Sequence, residues 1–258
     1  MLTPNTKIQN YSLIRKLGEG GMGEVWLAEH LTIDRKVAIK VLHAQYARNP
    51  KIQQRFRNEA ATLSKLKHPN IVALHDLIER DADIYLVMEY VEGRNLEEIV
   101  RTDTGPMPTE ILYKVFSQIL AAVGYADQQV VVHRDIKPSN FMMGADGVVK
   151  VLDFGIAKLL EDDQQLTRTG MRMGTTFYMS PEQVNNEAVD FCSDIYSLGV
   201  TLFFLATGKA PYEGETSENK VFDQIVRTPL PEGRTVYVGV APMVDMVIAK
   251  ATANEPHT

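Results

Sequence analysis

Cysteine is nearly absent from this 258-residue chain. Cys192 stands alone, so no internal disulfide can form and a reducing compartment is the default. No metal-ligand spacing surrounds it, and it reads as a small buried hydrophobe. Long apolar runs are missing too: none approaches the ~20 residues that a membrane span needs. The opening "MLTPNTKIQN" lacks the charged-then-apolar pattern of a secretory leader. There is no basic excess either. With 27 Lys and Arg against 33 Asp and Glu, the formal net charge is −6, which argues against broad nucleic-acid binding. Internal repeats and low-complexity tracts are also absent. What remains is ordinary for a globular protein, at 45% hydrophobic and 23% charged residues, on a chain long enough for a large core. The closing "AKATANEPHT" carries no helix-end signal, and the expectation is that the natural protein continues past Thr258.

The first ~90 residues read as strand-rich. "YSLIRKLG" alternates and ends in glycine, "EVWLAEH" and "KVAIKVL" are short β-branched and aromatic runs, and "IYLVMEYV" is a further strand. One helix interrupts them, "KIQQRFRNEAATLSKL", with Ile52, Phe56, Leu63 and Leu66 at helical spacing. Glu59 lies three residues after Phe56 and four before Leu63, on the same inward face. After "EGRN" the character changes. "TEILYKVFSQILAAVGYADQQ" predicts a long helix opening at Pro108–Thr109. "SDIYSLGVTLFFLATG" is apolar all round, with Ser193 as its expected N-cap and Gly208 as its C-cap, and such a helix is central and buried. "SENKVFDQIV" is a shorter helix. Gly155 to Met179 is polar, threonine-rich and aperiodic, a length of loop that is usually functional. The outline is a small β-rich lobe, a connector near Glu89–Arg94 and a larger helical lobe.

Four pieces carry chemistry. "GEGGMGEV", Gly18 to Val25, fits G-x-G-x-x-G-x-V. A dinucleotide fold would put a helix straight after these glycines. A strand follows instead, so the unit is a hairpin whose backbone N–H groups can close over phosphates. In "VAIK", Lys40 sits on a buried-looking strand, where a charge needs a partner. Glu59, nineteen residues on, can supply it. The alternative is a solvated lysine at a strand end. "HRDIKPSN" packs a base, an acid, a second cation and an amide into eight residues with Pro138 among them, which excludes a helix interior. There Asp135 can accept a hydroxyl proton, Lys137 can balance developing negative charge, and the Asn140 amide oxygen can join a carboxylate on magnesium. In "VLDFGIAK", Asp153 can be that carboxylate, although on its own the tripeptide is also a plain turn.

Taken together, the order and spacing of the four pieces resemble those of the protein kinases. "GEGGMGEVWLAEH", "HRDIKPSN" and "GTTFYMSPEQ" are most similar to the bacterial members of the eukaryotic-like Ser/Thr kinase family, from about Tyr11 to the chain end. The fold class implied is α+β and bilobal. A β-rich N-lobe would span about residues 11–90, a hinge 89–94 and a C-lobe 95–258, with the last helix cut short.

The resemblance implies ATP and Mg2+ as nucleotide and metal. Gly18, Glu19, Gly20, Gly21, Met22 and Gly23 would cover the phosphates, and Lys40, tied to Glu59, would hold two of them. Asp135 would be the catalytic base and Lys137 would meet the γ-phosphate, with Asn140 and Asp153 on the metal. Leu17, Val25, Ala38 and Met142 would wall the adenine slot behind a gatekeeper Met88, and Glu89, Tyr90 and Val91 would be the hinge. Leu63, Leu74, His133 and Phe154 match the family's stacked apolar column, which is equally ordinary core packing. "KPSN" implies a Ser or Thr acceptor. Arg134 before Asp135 implies control by activation-loop phosphorylation, with Thr167 and Thr169 as autophosphorylation sites and Thr175 as a structural threonine. Asp194 resembles the aspartate that braces the catalytic loop, and Glu182 the partner of an arginine that would lie near the end of the chain. Protein substrates are implied, a homodimer through the small lobe is one expectation, and no nucleic acid or membrane contact is expected within this cytoplasmic chain. The competing readings are a pseudokinase scaffold, which usually lacks one of the residues at Lys40, Asp135 and Asp153, and a small-molecule kinase, which would not need the threonine-rich segment and "SPE" platform.

Overall fold

The computed structural model describes residues 2–20, 23–42, 49–80, 83–152, 154 and 173–253, without the side chains of Lys51, Ile52, Arg55, Glu59, Met173 and Thr175. Gly21, Met22, Asp153, Thr167, Thr169 and Thr258 lie outside the described residues, as do the Glu59 and Thr175 side chains. The chain divides into two compact units, one ending at Val91 and the other starting at Glu92. Among the described residues no helix is long and apolar enough to cross a membrane.

The first unit is a six-stranded antiparallel sheet: β1 (Lys7–Ile8), β2 (Tyr11–Gly20), β3 (Gly23–His30), β4 (Arg35–Leu42), β5 (Leu74–Arg80) and β6 (Asp83–Glu89). Their order is β1-β2-β3-β4-β6-β5. The strands form where β-branched and aromatic residues alternate. Val37, Ile39 and Val41 point to one face and pack with Leu13, Trp26, Ile78 and Val87. The other face buries Leu42, Ile84 and Leu86 against Phe56 and Ala60 of helix α1 (Pro50–Leu63). Each such buried side chain contributes about 1.5–3 kcal/mol. Gly23 is required by packing: a Cβ there would meet the Val41 carbonyl oxygen at 1.9 Å.

The second unit holds a three-stranded sheet, β7 (Gly93–Asn95), β8 (Phe141–Gly144) and β9 (Val149–Val151). Its helices include α2 (Leu96–Ile99), α3 (Thr109–Gln128), α4 (Met173–Thr176), α5 (Pro181–Asn185), α6 (Phe191–Thr207), α7 (Glu218–Arg227), α8 (Gly233–Val236) and α9 (Pro242–Ala251). Helix α3 buries Leu112, Val115, Phe116, Ile119, Ala122, Val123 and Ala126, the i, i+3, i+4, i+7 stripe of an amphipathic helix. Helix α6 is the central one: from Ser193 to Thr207 every residue but Ile195 is buried.

Three details differ from expectation. Helix α6 starts one turn early, because Asp190 rather than Ser193 is its N-cap and accepts from the Cys192 N–H at 2.7 Å. Gly208 does close it, at φ 75°. Cys192 therefore sits in the first turn and is half-buried rather than buried. Desolvation first, then Asp190 and its acidic neighbours, raise its thiol pKa, which disfavours the thiolate. The third difference is that a helix does end inside "AKATANEPHT". Both the backbone N–H and the hydroxyl of Thr252 bond the Ile248 carbonyl, at 3.0 and 2.9 Å. A hydroxyl bonded back onto the helix replaces the glycine signal there.

The end of α3 carries strain. Val131 N–H bonds the Ala126 carbonyl at 2.9 Å and Val130 N–H the Asp127 carbonyl at 2.7 Å, a Schellman-like closure that turns the residue after the cap left-handed. That residue is Val130, at φ 59° and 91% exposed. A β-branched side chain is a poor choice there. Val130→Asn should raise stability by about 1 kcal/mol, because it removes the clash and no buried contact. Thermal unfolding should show a midpoint about 2–4 °C higher, and an unchanged or lower midpoint would contradict this account.

Candidate active site

In the first unit the β2–β3 hairpin carries the glycines. Lys16 stands opposite Trp26, Gly18 opposite Val25, Glu19 opposite Glu24 and Gly20 opposite Gly23, with a register shift between Lys16 and Gly18 where Leu17 lies. Lys16 Nζ clasps both strands, 2.5 Å from Glu19 Oε2 and 3.0 Å from Glu24 Oε1. A Cβ on Gly18 or Gly20 would meet no protein atom within 4 Å. Packing thus gives no reason for glycine at either position, although each costs about 0.5–1 kcal/mol relative to alanine in a strand.

Registration settles which face the neighbouring residues share. Val25 pairs with Lys40 and Lys40 with Leu86, while Leu27 pairs with Ala38 and Ala38 with Met88. Directly opposed residues in an antiparallel pair point the same way. Val25, Ala38, Lys40, Leu86 and Met88 therefore lie on one face, the one that packs on helix α1 through Leu42 and Leu86. Glu59 is on that helix by its backbone. Leu63, Leu74 and Met88 border the same cluster. Glu89 closes β6, with its N–H given to the Ala73 carbonyl at 2.9 Å and its Oε2 accepting from Ala73 N at 3.2 Å. Tyr90 and Val91 follow it at the end of the unit.

In the second unit, "HRDIKPSN" runs into a single turn of 3₁₀ helix, Pro138–Asn140, and then into β8. Its side chains converge. Lys137 Nζ is 2.9 Å from Asp135 Oδ2. Asn140 Nδ2 donates to the Asp135 carbonyl at 2.7 Å and to Asp135 Oδ2 at 2.9 Å. The Asn140 N–H is therefore turned toward Asp135, and its oxygen faces away. The loop backbone is held from beneath: buried Asp194, in the first turn of α6, accepts from His133 N at 2.7 Å and Arg134 N at 2.8 Å. His133 is fully buried, bonds the Leu152 carbonyl through Nε2 at 2.9 Å and packs its ring 4.6 Å from that of Phe154. Met142 lies in β8 opposite Asn95.

These geometries bring Asp135, Lys137, Asn140, His133 and Asp194 together in one unit, and align Val25, Ala38, Lys40 and Met88 on one sheet face of the other. A model of the protein kinase domain matches residues 11–239 of the chain. The chain belongs to the protein kinase domain family. It is 40% identical over 260 residues to the serine/threonine-protein kinase PknB of Mycobacterium leprae, an alignment covering 99% of this chain and 42% of that protein. It is 41% identical to the serine/threonine-protein kinase PrkC of Bacillus subtilis, over 95% of this chain and 38% of that one. The chain thus spans about two-fifths of the length of these curated relatives. The crystal structure of the Mycobacterium tuberculosis PknI kinase domain is similar at a TM-score of 0.74 and 27% identity, over 99% of this chain and 92% of that chain.

Sequence reasoning missed two parts of this kinase domain. Gln183, in α5, donates through Nε2 to the Arg134 carbonyl at 2.7 Å, and its Oε1 accepts from Ser180 N at 3.2 Å. Ser180, Pro181, Glu182 and Gln183 spell the S-x-x-Q capping box, a signal open to reading. Ser197, buried in α6, donates to the Tyr178 carbonyl at 2.7 Å, and no local pattern announces it. Glu182 accepts from the Ser193 hydroxyl at 3.3 Å. Burial holds the Tyr178 phenol far above its usual pKa, so this side chain stays neutral.

Proposed function

We propose that the chain is an ATP-dependent serine/threonine protein kinase that phosphorylates its own Thr167 and Thr169. The observation that carries this is the Asp135 carboxylate, placed 2.9 Å from both the Lys137 ammonium and the Asn140 amide on a loop whose backbone is pinned by a buried aspartate. In this reading the acceptor hydroxyl gives its proton to Asp135 as its oxygen bonds the γ-phosphorus, and the bond to the β,γ-bridging oxygen breaks to release ADP. Lys137 balances charge on the transferring group. Positioning and charge stabilisation supply most of the rate.

The nucleotide would be held by Gly18 to Gly23, where two glycines leave space that a side chain would fill. Lys40 would hold two of its phosphates, with Glu59 on the adjacent helix. Leu17, Val25, Ala38, Met88 and Met142 would wall the base, and Glu89 to Val91 would read its edge. Asn140 and Asp153 would hold magnesium. The residue types fit: the Asn140 side-chain N–H is committed to Asp135, so it would present its amide oxygen together with the Asp153 carboxylate, and oxygen is the donor atom that Mg2+ takes. When bound, the ion neutralises phosphate charge. The proposal extends to a two-lobed domain hinged near residues 89–94, a cytoplasmic location as the catalytic part of a longer, membrane-anchored kinase, protein substrates, and pairing through the small lobe.

The test is incubation of the purified chain with magnesium and γ-labelled ATP, beside Lys40→Met, followed by mapping of the label. Label on Thr167 or Thr169 in the wild type and not in Lys40→Met is the expected result. Equal label in both would sink the assignment, and nucleotide binding without any label would indicate a pseudokinase.

A further inference from the structure

Asp135 is connected to the rest of the loop by the peptide plane it shares with Arg134. That plane begins in strain, because Arg134 sits at φ 65°, a region that L-residues other than glycine rarely adopt. Neighbouring groups hold it there. The Arg134 N–H is bonded by Asp194. The Asp135 N–H, on the shared plane, bonds His133 Nδ1 at 3.3 Å. His133 Nε2 faces a carbonyl, which can only accept, so Nε2 carries the proton and Nδ1 is free to accept. The opposite end of the plane is the Arg134 carbonyl, and the group that meets it is the Gln183 amide at 2.7 Å. That amide has one workable orientation, since its oxygen accepts from Ser180 N. Rotation of the 134–135 peptide about its Cα–Cα axis would change ψ of Arg134 and φ of Asp135 together, and so re-aim the Asp135 side chain relative to Lys137 and Asn140.

We propose that Gln183 is a positioning residue for Asp135: its side chain, anchored in the capping box of helix α5, locks the peptide that carries the catalytic carboxylate. The inference rests on the kinase reading for its effect on rate, but the lock itself is a property of the fold and is measurable without turnover. It also means that movement of α5 reaches Asp135 through one hydrogen bond.

Two variants separate the lock from the cap. Gln183→Glu keeps an acceptor for Ser180 N, glutamate being the usual partner in a capping box, but has no proton to give the Arg134 carbonyl. Gln183→Leu lacks both groups and adds no charge. The measurements are hydrogen exchange over residues 131–137, the thermal midpoint, and kcat and KM for ATP. In Gln183→Glu the midpoint should stay within about 2 °C, exchange at Asp135 should rise about tenfold, and kcat should fall about tenfold at an unchanged KM. Gln183→Leu should repeat the exchange and kcat effects with a lower midpoint. Wild-type exchange in both variants would overturn the proposal, leaving Gln183 as a helix cap only. Faster exchange in the variants of a chain that transfers no phosphate would uphold the lock and overturn the kinase reading instead.

Discussion

Asp135→Ala is expected to lower phosphoryl transfer by about 10²–10⁴-fold, the usual worth of a positioned general base, while the chain still folds. The carboxylate accepts from Asn140 Nδ2 and pairs with Lys137 Nζ, both at 2.9 Å. Its side chain and that of Lys137 are 18% and 17% exposed, so truncation strands a charge that water reaches poorly. Losing a hydrogen bond to a charged group costs about 1.5–3 kcal/mol, a fall of several degrees in the midpoint for a chain of this size. Asp135→Asn sharpens the test. It keeps an oxygen that can accept from Asn140 and Lys137, so the midpoint should stay closer to wild type. It cannot take the hydroxyl proton, so transfer should fall as far as in the alanine variant. Steady-state transfer and thermal unfolding on both variants decide the matter. Asn at near wild-type rate would remove Asp135 from the chemistry.

The site's chemistry was legible because it is local in sequence. "HRDIKPSN" places base, cation and amide close together in one short loop, and a loop that short has few ways to arrange them. The hairpin was legible from glycines followed by a strand, and Lys40 from its place in a short β-branched run, while kinship supplied Val25, Ala38 and Met88, whose shared face with Lys40 comes from the strand register. What escaped reading is what comes from far along the chain. Asp194 stands 60 residues from Arg134, and Gln183 stands 49. Their partners are backbone groups, and every residue offers those, so no residue type at the receiving end marks the bond. Kinship supplied the role of Asp194, and nothing supplied that of Gln183. The cap of α6 was misplaced for a different reason. Apolar Phe191 and Cys192 precede Ser193, and a serine beside an aspartate looked like the start. The true cap, Asp190, stands between apolar Val189 and Phe191, where no polar cluster marks a helix start. The end of α3 at Gln128–Gln129 was legible, but the left-handed backbone of Val130 was not, because propensity would reject a β-branched residue there.

Asp194 carries the second large effect, and it acts on stability as well as rate. Its carboxylate is 4% exposed and accepts from two successive amides, His133 N and Arg134 N. Alanine would leave both donors without that acceptor, the His133 N–H in a buried setting and the Arg134 N–H in a partly buried one, at about 1–3 kcal/mol each. The same grip holds Arg134 at its positive φ, so the loop would also relax toward an unstrained backbone and recover part of the cost. The net loss should be about 3 kcal/mol, a large share of the 5–15 kcal/mol typical of a domain, and the midpoint should drop by roughly 6–12 °C. Relaxation has its own consequence, because Asp135 is the next residue. A shift of about 1 Å in a reacting group costs on the order of 10²-fold in rate, so kcat should collapse even at temperatures where the variant is fully folded. The pairing of outcomes matters. Asp135→Asn should lose rate and keep stability, whereas Asp194→Ala should lose both, with faster hydrogen exchange at His133 and Arg134. An Asp194→Ala chain that melts within about 2 °C of wild type would mean that the loop finds another anchor, and the bracing role would have to move elsewhere in α6.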